Sequence, residues 1–136
     1  MLDTHGRHLI QPVISRGARF FLRLGLTADK VTFFAFLTGL CTGPLIYFDE
    51  ALAAVILLWV SGYLDAVDGT MAREQNKSSA WGTLMDITFD RIVELSVIIG
   101  LAARYPEAQF LLLLLTGAIV FSMTVFLTGG GLFEKK

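Results

Sequence analysis

The sequence predicts an all-α integral membrane protein, with an N-terminal amphipathic surface helix followed by about four transmembrane helices. Three observations carry this expectation. Hydrophobic residues make up 54% of the 136 residues and charged residues only 17%, with a mean hydropathy of +0.65. A soluble domain of this size could not hide so much apolar surface, whereas lipid covers it in a membrane protein. The apolar residues also gather into long runs separated by short polar breaks, and the basic residues collect on one side of a four-span arrangement.

In residues 1–24, Leu9, Ile10, Val13, Ile14, Phe20, Phe21 and Leu24 recur at helical spacing, and Arg16, Arg19 and Arg23 share the opposite face. This predicts an interfacial helix with its cations toward anionic headgroups; a helix packed on the rest of the chain is the alternative. The same arginines interrupt any continuous apolar core, so the segment does not read as a signal peptide. Gly25 breaks the pattern, and Thr27 is placed to cap the next helix.

The spans are expected near 31–48, 51–73, 80–103 and 108–128, within one domain covering 1–136. Val31 to Phe48 is uncharged, with Pro44 placed to kink it and Asp49-Glu50 to end it. Ala51 to Leu64 continues in helical register to Arg73. Trp81 to Ala103 is interrupted by Asp86, Asp90, Arg91 and Glu94, and Arg104 to Glu107 reads as a turn. Ala108 to Leu127 is the last run, with Gly129-Gly130-Gly131 expected to stop it.

An N-terminus on the cytoplasmic side puts both termini there, together with Arg7, Arg16, Arg19, Arg23, Lys30, Arg73, Lys77, Lys135 and Lys136. Arg104 falls outside and Arg91 lies within the third span, an imbalance that fits the positive-inside rule. The expected location is therefore a multi-pass position in a bacterial-type cytoplasmic membrane. The net charge of −1 points to no nucleic-acid partner. Cys41, the single cysteine, cannot form an internal disulfide and reads as a buried small hydrophobe.

Four aspartates stand at the cytoplasmic ends of two spans. A charge within a span costs about 2.5–3.5 kcal/mol on insertion scales, so the set needs an offset. Asp65 and Asp68 are i, i+3 and Asp86 and Asp90 are i, i+4, so each pair shares a helical face. The short connection predicts antiparallel neighbouring helices whose carboxylates converge. Hard oxygen ligands without nearby His or Cys suit Mg²⁺ or Mn²⁺, and two such ions would present a positive surface to a diphosphate. Gly69, Ala72 and Gly82 leave room beside the metals, Arg73 is placed to hold a phosphate oxygen, and Ser78 and Ser79 are candidate caps and phosphate contacts. Arg91 and Glu94, at i, i+3, read as an intrahelical ion pair.

Asp65-x-x-Asp68-Gly69-x-x-Ala72-Arg73, eight residues, then Gly82-x-x-x-Asp86-x-x-x-Asp90 resembles the signature of the CDP-alcohol phosphotransferase family at every fixed position and spacing. The segment Leu26 to Thr32 is similar to the one before the family's first span, with Ala28-Asp29 in place of the usual Pro-Asn pair. The resemblance implies transfer of a substituted phosphate, commonly phosphatidyl, from a CDP-alcohol such as CDP-diacylglycerol to an acceptor hydroxyl, with release of CMP, in phospholipid biosynthesis. It implies that Asp65, Asp68 and Asp86 hold metal. Asp90 would act as general base and also touch the second ion. Gly69, Ala72, Arg73, Ser79, Gly82 and Asp29 would contact the CDP-alcohol.

Members normally form a six-helix bundle, with the later helices contributing to the acceptor pocket and to a homodimer interface, so this chain resembles a C-terminally short member. Two other functions stay open: a member that binds CDP-lipid and metal without turnover, and an intramembrane prenyltransferase, which would release pyrophosphate. The acceptor alcohol is not specified by these residues.

Overall fold

Helix boundaries follow local backbone chemistry closely. The structure, a computed structural model, describes residues 2–75 and 79–133. Helix α1 runs Leu2–Arg23, α2 Ala28–Leu40, α3 Thr42–Tyr47, α4 Ala51–Glu74, α5 Ala80–Arg104 and α6 Gln109–Phe133, with a 3-10 turn at Pro106–Ala108. Ser78, Lys77 and residues 134–136 lie outside the described residues, as do the side chains of Arg7 and Leu9.

Gly25, at φ +73°, ends α1. Its N–H bonds to the Leu22 carbonyl and that of Leu26 to the Phe21 carbonyl, the paired closure of a Schellman motif. Asp49 plays the same part after α3 at φ +67°, with its N–H on Ile46 and that of Glu50 on Leu45. Aspartate tolerates the left-handed region better than most residues. Thr27 precedes α2 in extended conformation as expected, but it caps through its carbonyl, which accepts from the Lys30 and Val31 N–H groups.

α1 is strapped to the bundle. Ala18 is fully buried with Val31, Val67 and Met71, and Tyr63 Oη donates to the Val13 carbonyl at 3.2 Å. Arg16, Arg19 and Arg23 stay exposed, as their shared face requires. Ile10, Val13, Phe20 and Leu24 are exposed too, so α1 offers apolar surface to its surroundings while packing on α4.

The first expected span is two helices bent at Cys41. Pro44 has no N–H, so the Leu40 carbonyl loses its helical donor. Ser96 on α5 supplies the replacement, its Oγ donating to Leu40 at 2.9 Å. The helices can meet there because a Cβ on Gly43 would run into Ser96, and one on Gly100 into the Gly43 backbone. Arg104, at the far end of α5, chelates Asp49 through Nη2 (3.0 Å) and Nε (3.3 Å), tying α5 to the α3–α4 turn.

Four sequence expectations are corrected. Among the described residues, three helical segments rather than four are long and apolar enough to cross a membrane: Ala28–Tyr47, Ala51–Glu74 and Pro106–Leu132. α5 has the length but carries Asp86, Asp90, Arg91, Glu94 and Arg104. The Gly129 to Gly131 run does not stop α6, because each glycine costs a helix only about 1 kcal/mol and the flanking residues hold the register. Cys41, between the end of α2 and the start of α3, is exposed rather than buried. Finally, α4 and α5 are not closely packed neighbours: α2 packs against both, leaving a cleft between them. A short link fixes only where two helices begin, and here a third helix fills the angle.

The Pro44–Leu40–Ser96 arrangement has a measurable consequence. Ser96→Ala should destabilise the fold by about 1–3 kcal/mol by orphaning a carbonyl. The loss should be clearly smaller in a Pro44→Ala background, where residue 44 regains its N–H. Unfolding in detergent micelles across the double-mutant cycle measures this coupling.

Candidate metal and diphosphate site

The cleft between α4 and α5 collects the acidic residues. α4 places Asp65 and Asp68 one turn apart, and α5 brings Asp86 across to them. One carboxylate oxygen from each of the three lies within 4.8 Å of the others. Asp68 is only 2% exposed, and its Oδ2 is buried without a hydrogen-bond partner. A buried carboxylate oxygen lacking any donor is costly unless a cation answers it. All-oxygen donors of this kind suit a hard divalent ion, so the residues fit the expected metal. The three-aspartate group can coordinate one such ion.

Asp90 stands outside this group. It is exposed on α5, one turn beyond Asp86, and shares a cavity of about 290 Å³ with Asp65. Thr32 lines that cavity and also a larger one of about 390 Å³ on the other side of the aspartates. The larger cavity contains Asp68 and Asp86 together with Asp29, Gly69, Ala72, Arg73, Ser79 and Gly82, so the residues singled out beside the metal cluster meet around one space.

The polar groups of this cavity are arranged for an anion. Ser79 caps α5, accepting the Gly82 N–H on its Oγ at 3.0 Å. Its hydroxyl hydrogen stays available to another acceptor. The N-terminal turn of α5, with Trp81, Gly82 and Thr83, faces the cavity with the positive end of the helix dipole. Arg73 Nη2 donates to Thr70 Oγ1 at 3.1 Å, which steadies a guanidinium that has further donors to offer.

The two cavity glycines differ from those at the helix crossings. A Cβ on Gly69 would come no nearer than 3.7 Å to another group, and one on Gly82 no nearer than 3.4 Å. Packing alone therefore tolerates alanine at both positions, and the missing side chains leave volume to the cavity. Thr32, Gln75, Trp81 and Thr83 also line it without having been singled out from the sequence, as does Thr27, which was expected only as a cap. Thr32, one turn after Asp29, was the one that spacing could have found. The intrahelical pair is present, Arg91 Nη1 donating to Glu94 Oε2.

The profile of the CDP-alcohol phosphatidyltransferases matches residues 25–132, which include every residue of this site. The chain belongs to the CDP-alcohol phosphatidyltransferase family. Among curated relatives, it is 31% identical over 107 residues to the phosphatidylinositol phosphate synthase of Streptomyces avermitilis, covering 77% of this chain and 43% of that one. It is 32% identical over 96 residues to the archaetidylinositol phosphate synthase of Pyrococcus horikoshii, covering 71% and 51%. The inner membrane protein YnjF of Escherichia coli is 31% identical over 111 residues, covering 82% and 53%. This phosphatidyltransferase-family chain thus spans about half the length of the curated relatives it matches. No solved structure matches it.

Mg²⁺ or Mn²⁺ should raise the unfolding temperature of the protein in micelles, and chelation should reverse the gain. A cation at a hundred times its dissociation constant stabilises the folded state by about 2.7 kcal/mol. Asp68→Asn should abolish the metal-dependent shift while leaving the metal-free protein at least as stable, because it removes one of three mutually repelling charges. Thermal unfolding of both proteins with and without metal provides the check.

Proposed function

We propose that the protein transfers a substituted phosphate, phosphatidyl in the simplest case, from a CDP-alcohol to an acceptor hydroxyl and releases CMP. The observation that carries this is the adjacency of a three-carboxylate cation site and an anion-receptive cavity in one cleft. Family membership supports the same chemistry, and the relatives' names point to products with an inositol phosphate headgroup. The donor we propose is CDP-diacylglycerol. Its lipid part would stay in the bilayer while its nucleotide enters from the cytoplasmic side.

The site residues divide the work. Asp65, Asp68 and Asp86 hold Mg²⁺ or Mn²⁺, with Asp90 near enough in sequence to share a second ion. The metal's contribution is neutralisation of diphosphate charge, the main requirement of phosphoryl transfer. Arg73, Ser79 and the first turn of α5 hold phosphate oxygens by donated hydrogen bonds. Gly69, Ala72 and Gly82 leave space for the cytidine, and Asp29 at the rim is placed to accept from it. Asp90, exposed and outside the three-oxygen group, takes the proton of the acceptor hydroxyl as that oxygen attacks phosphorus. The bond from phosphorus to the CMP oxygen breaks, and CMP leaves with the electron pair.

Liposomes containing CDP-diacylglycerol should release CMP when the protein, divalent metal and a suitable acceptor are all present. Asp90→Asn should lower kcat by about 10²–10⁴-fold, the usual contribution of a general base, while metal-dependent stabilisation persists. Normal CMP release by that variant would remove Asp90 from the assigned role. Binding without release under every acceptor would point to a member that binds without turnover, and pyrophosphate in place of CMP to prenyl transfer.

Gly69→Ala and Gly82→Ala separate cavity volume from folding. Each should fold as well as the parent or gain about 0.5–1 kcal/mol from alanine's higher helix propensity. Each should also weaken CDP-lipid affinity, measured by CMP-release kinetics beside thermal unfolding.

A further inference from the structure

Arg91 and Glu94 sit midway along α5, where an ionisable pair among apolar residues marks a candidate functional site. The pair is not sealed between helices. Glu94 lines the apolar groove between α5 and α6, and it also lines the cavity of about 290 Å³ that holds Asp65 and Asp90. Asp86, Asp90 and Glu94, spaced i, i+4, i+8, form one stripe along α5.

The polar groups around that cavity share one property. Ionised carboxylates only accept hydrogen bonds. Ser61 Oγ has already given its hydrogen to the Ala35 carbonyl at 2.7 Å and retains only acceptor capacity, and the Thr32 hydroxyl is engaged with the Ala28 carbonyl at 3.1 Å and with Asp68. Among the described residues, no Lys or Arg lines the cavity. A wall of acceptors suits a guest that brings donors. Phe36 and Phe89, stacked on each other with centroids 4.3 Å apart, add apolar surface to the same lining.

We propose that Glu94, held in place by Arg91, is a specificity-determining residue that accepts hydrogen bonds from the hydroxyls of a polyhydroxylated acceptor. This rests on the transferase reading above and goes past it by assigning a residue to the acceptor's hydroxyls. The cavity takes a face bearing neighbouring hydroxyls, and any anionic group of the acceptor stays outside it. Asp90 receives the proton of the reacting hydroxyl, while Glu94, one turn further along, reads the others.

The test measures CMP release by the full chain in CDP-diacylglycerol liposomes with inositol phosphate, glycerol phosphate or serine as acceptor. The wild type should prefer the polyols to serine, which has one hydroxyl. Glu94→Gln should raise the polyol KM by about tenfold or more, the size of one charge-assisted hydrogen bond, with the KM for CDP-diacylglycerol within about twofold. The double variant Arg91→Glu/Glu94→Arg keeps an ion pair and should show the same loss. A wild-type polyol KM in either the Gln variant or the charge-swapped variant would overturn the proposal by reducing the pair to a structural role. A wild-type preference for serine would overturn it as well. No CMP release by the wild type with any acceptor would overturn the transferase reading itself, a separate result.

Discussion

Mutual repulsion among carboxylates is the constraint around which this bundle is built. Three aspartate oxygens lie within 4.8 Å of one another, and at an effective dielectric near 20 each ionised pair repels by at least about 3.5 kcal/mol. One of the three residues is almost wholly buried and has an oxygen that no protein donor reaches. Hydrophobic packing has to hold these groups together until a cation answers them. It does so indirectly: α2 and α3 brace α4 and α5 from the side, and the two acidic helices need not pack on each other. The cleft between them is thus both the relief of the repulsion and the space for a ligand.

The same economy runs through the rest of the chain. Close approach of backbones is concentrated away from the carboxylates, where Gly43 and Gly100 let α3 and α5 touch, while Gly69 and Gly82 face open volume. Rigidity at one end and space at the other arise from the same residue type. α6, none of whose spanning window is buried, contributes little packing to this division and presents apolar surface on nearly every side. That suits a helix covered by lipid or by another protein surface.

Much of the site was legible in the sequence because helical spacing is a strict geometric rule. Asp65 and Asp68 at i, i+3, and Asp86 four residues before Asp90, leave little freedom in which face they occupy, and the backbone delivered three of the four to one point. What spacing could not supply was distance between helices. The link between α4 and α5 suggested neighbours, but the angle between them depends on α2. The meaning of a glycine was equally hidden, since a contact and a void demand the same residue. Glu94 was readable as Arg91's partner, yet its cavity faces it from α2 and α4, whose approach no local pattern records. The composition misled over α5, whose charges were expected in a span and instead disqualify it as a simple lipid-facing helix.

The bend at Cys41 carries a consequence of its own. Because Pro44 costs the Leu40 carbonyl its helical donor and Ser96 replaces it, the bent rod of α2 and α3, which touches both α4 and α5, is pinned to α5 at its bend. Pro44 and Ser96 line neither of the two cavities beside the aspartates, so this joint can change without altering any residue that faces them.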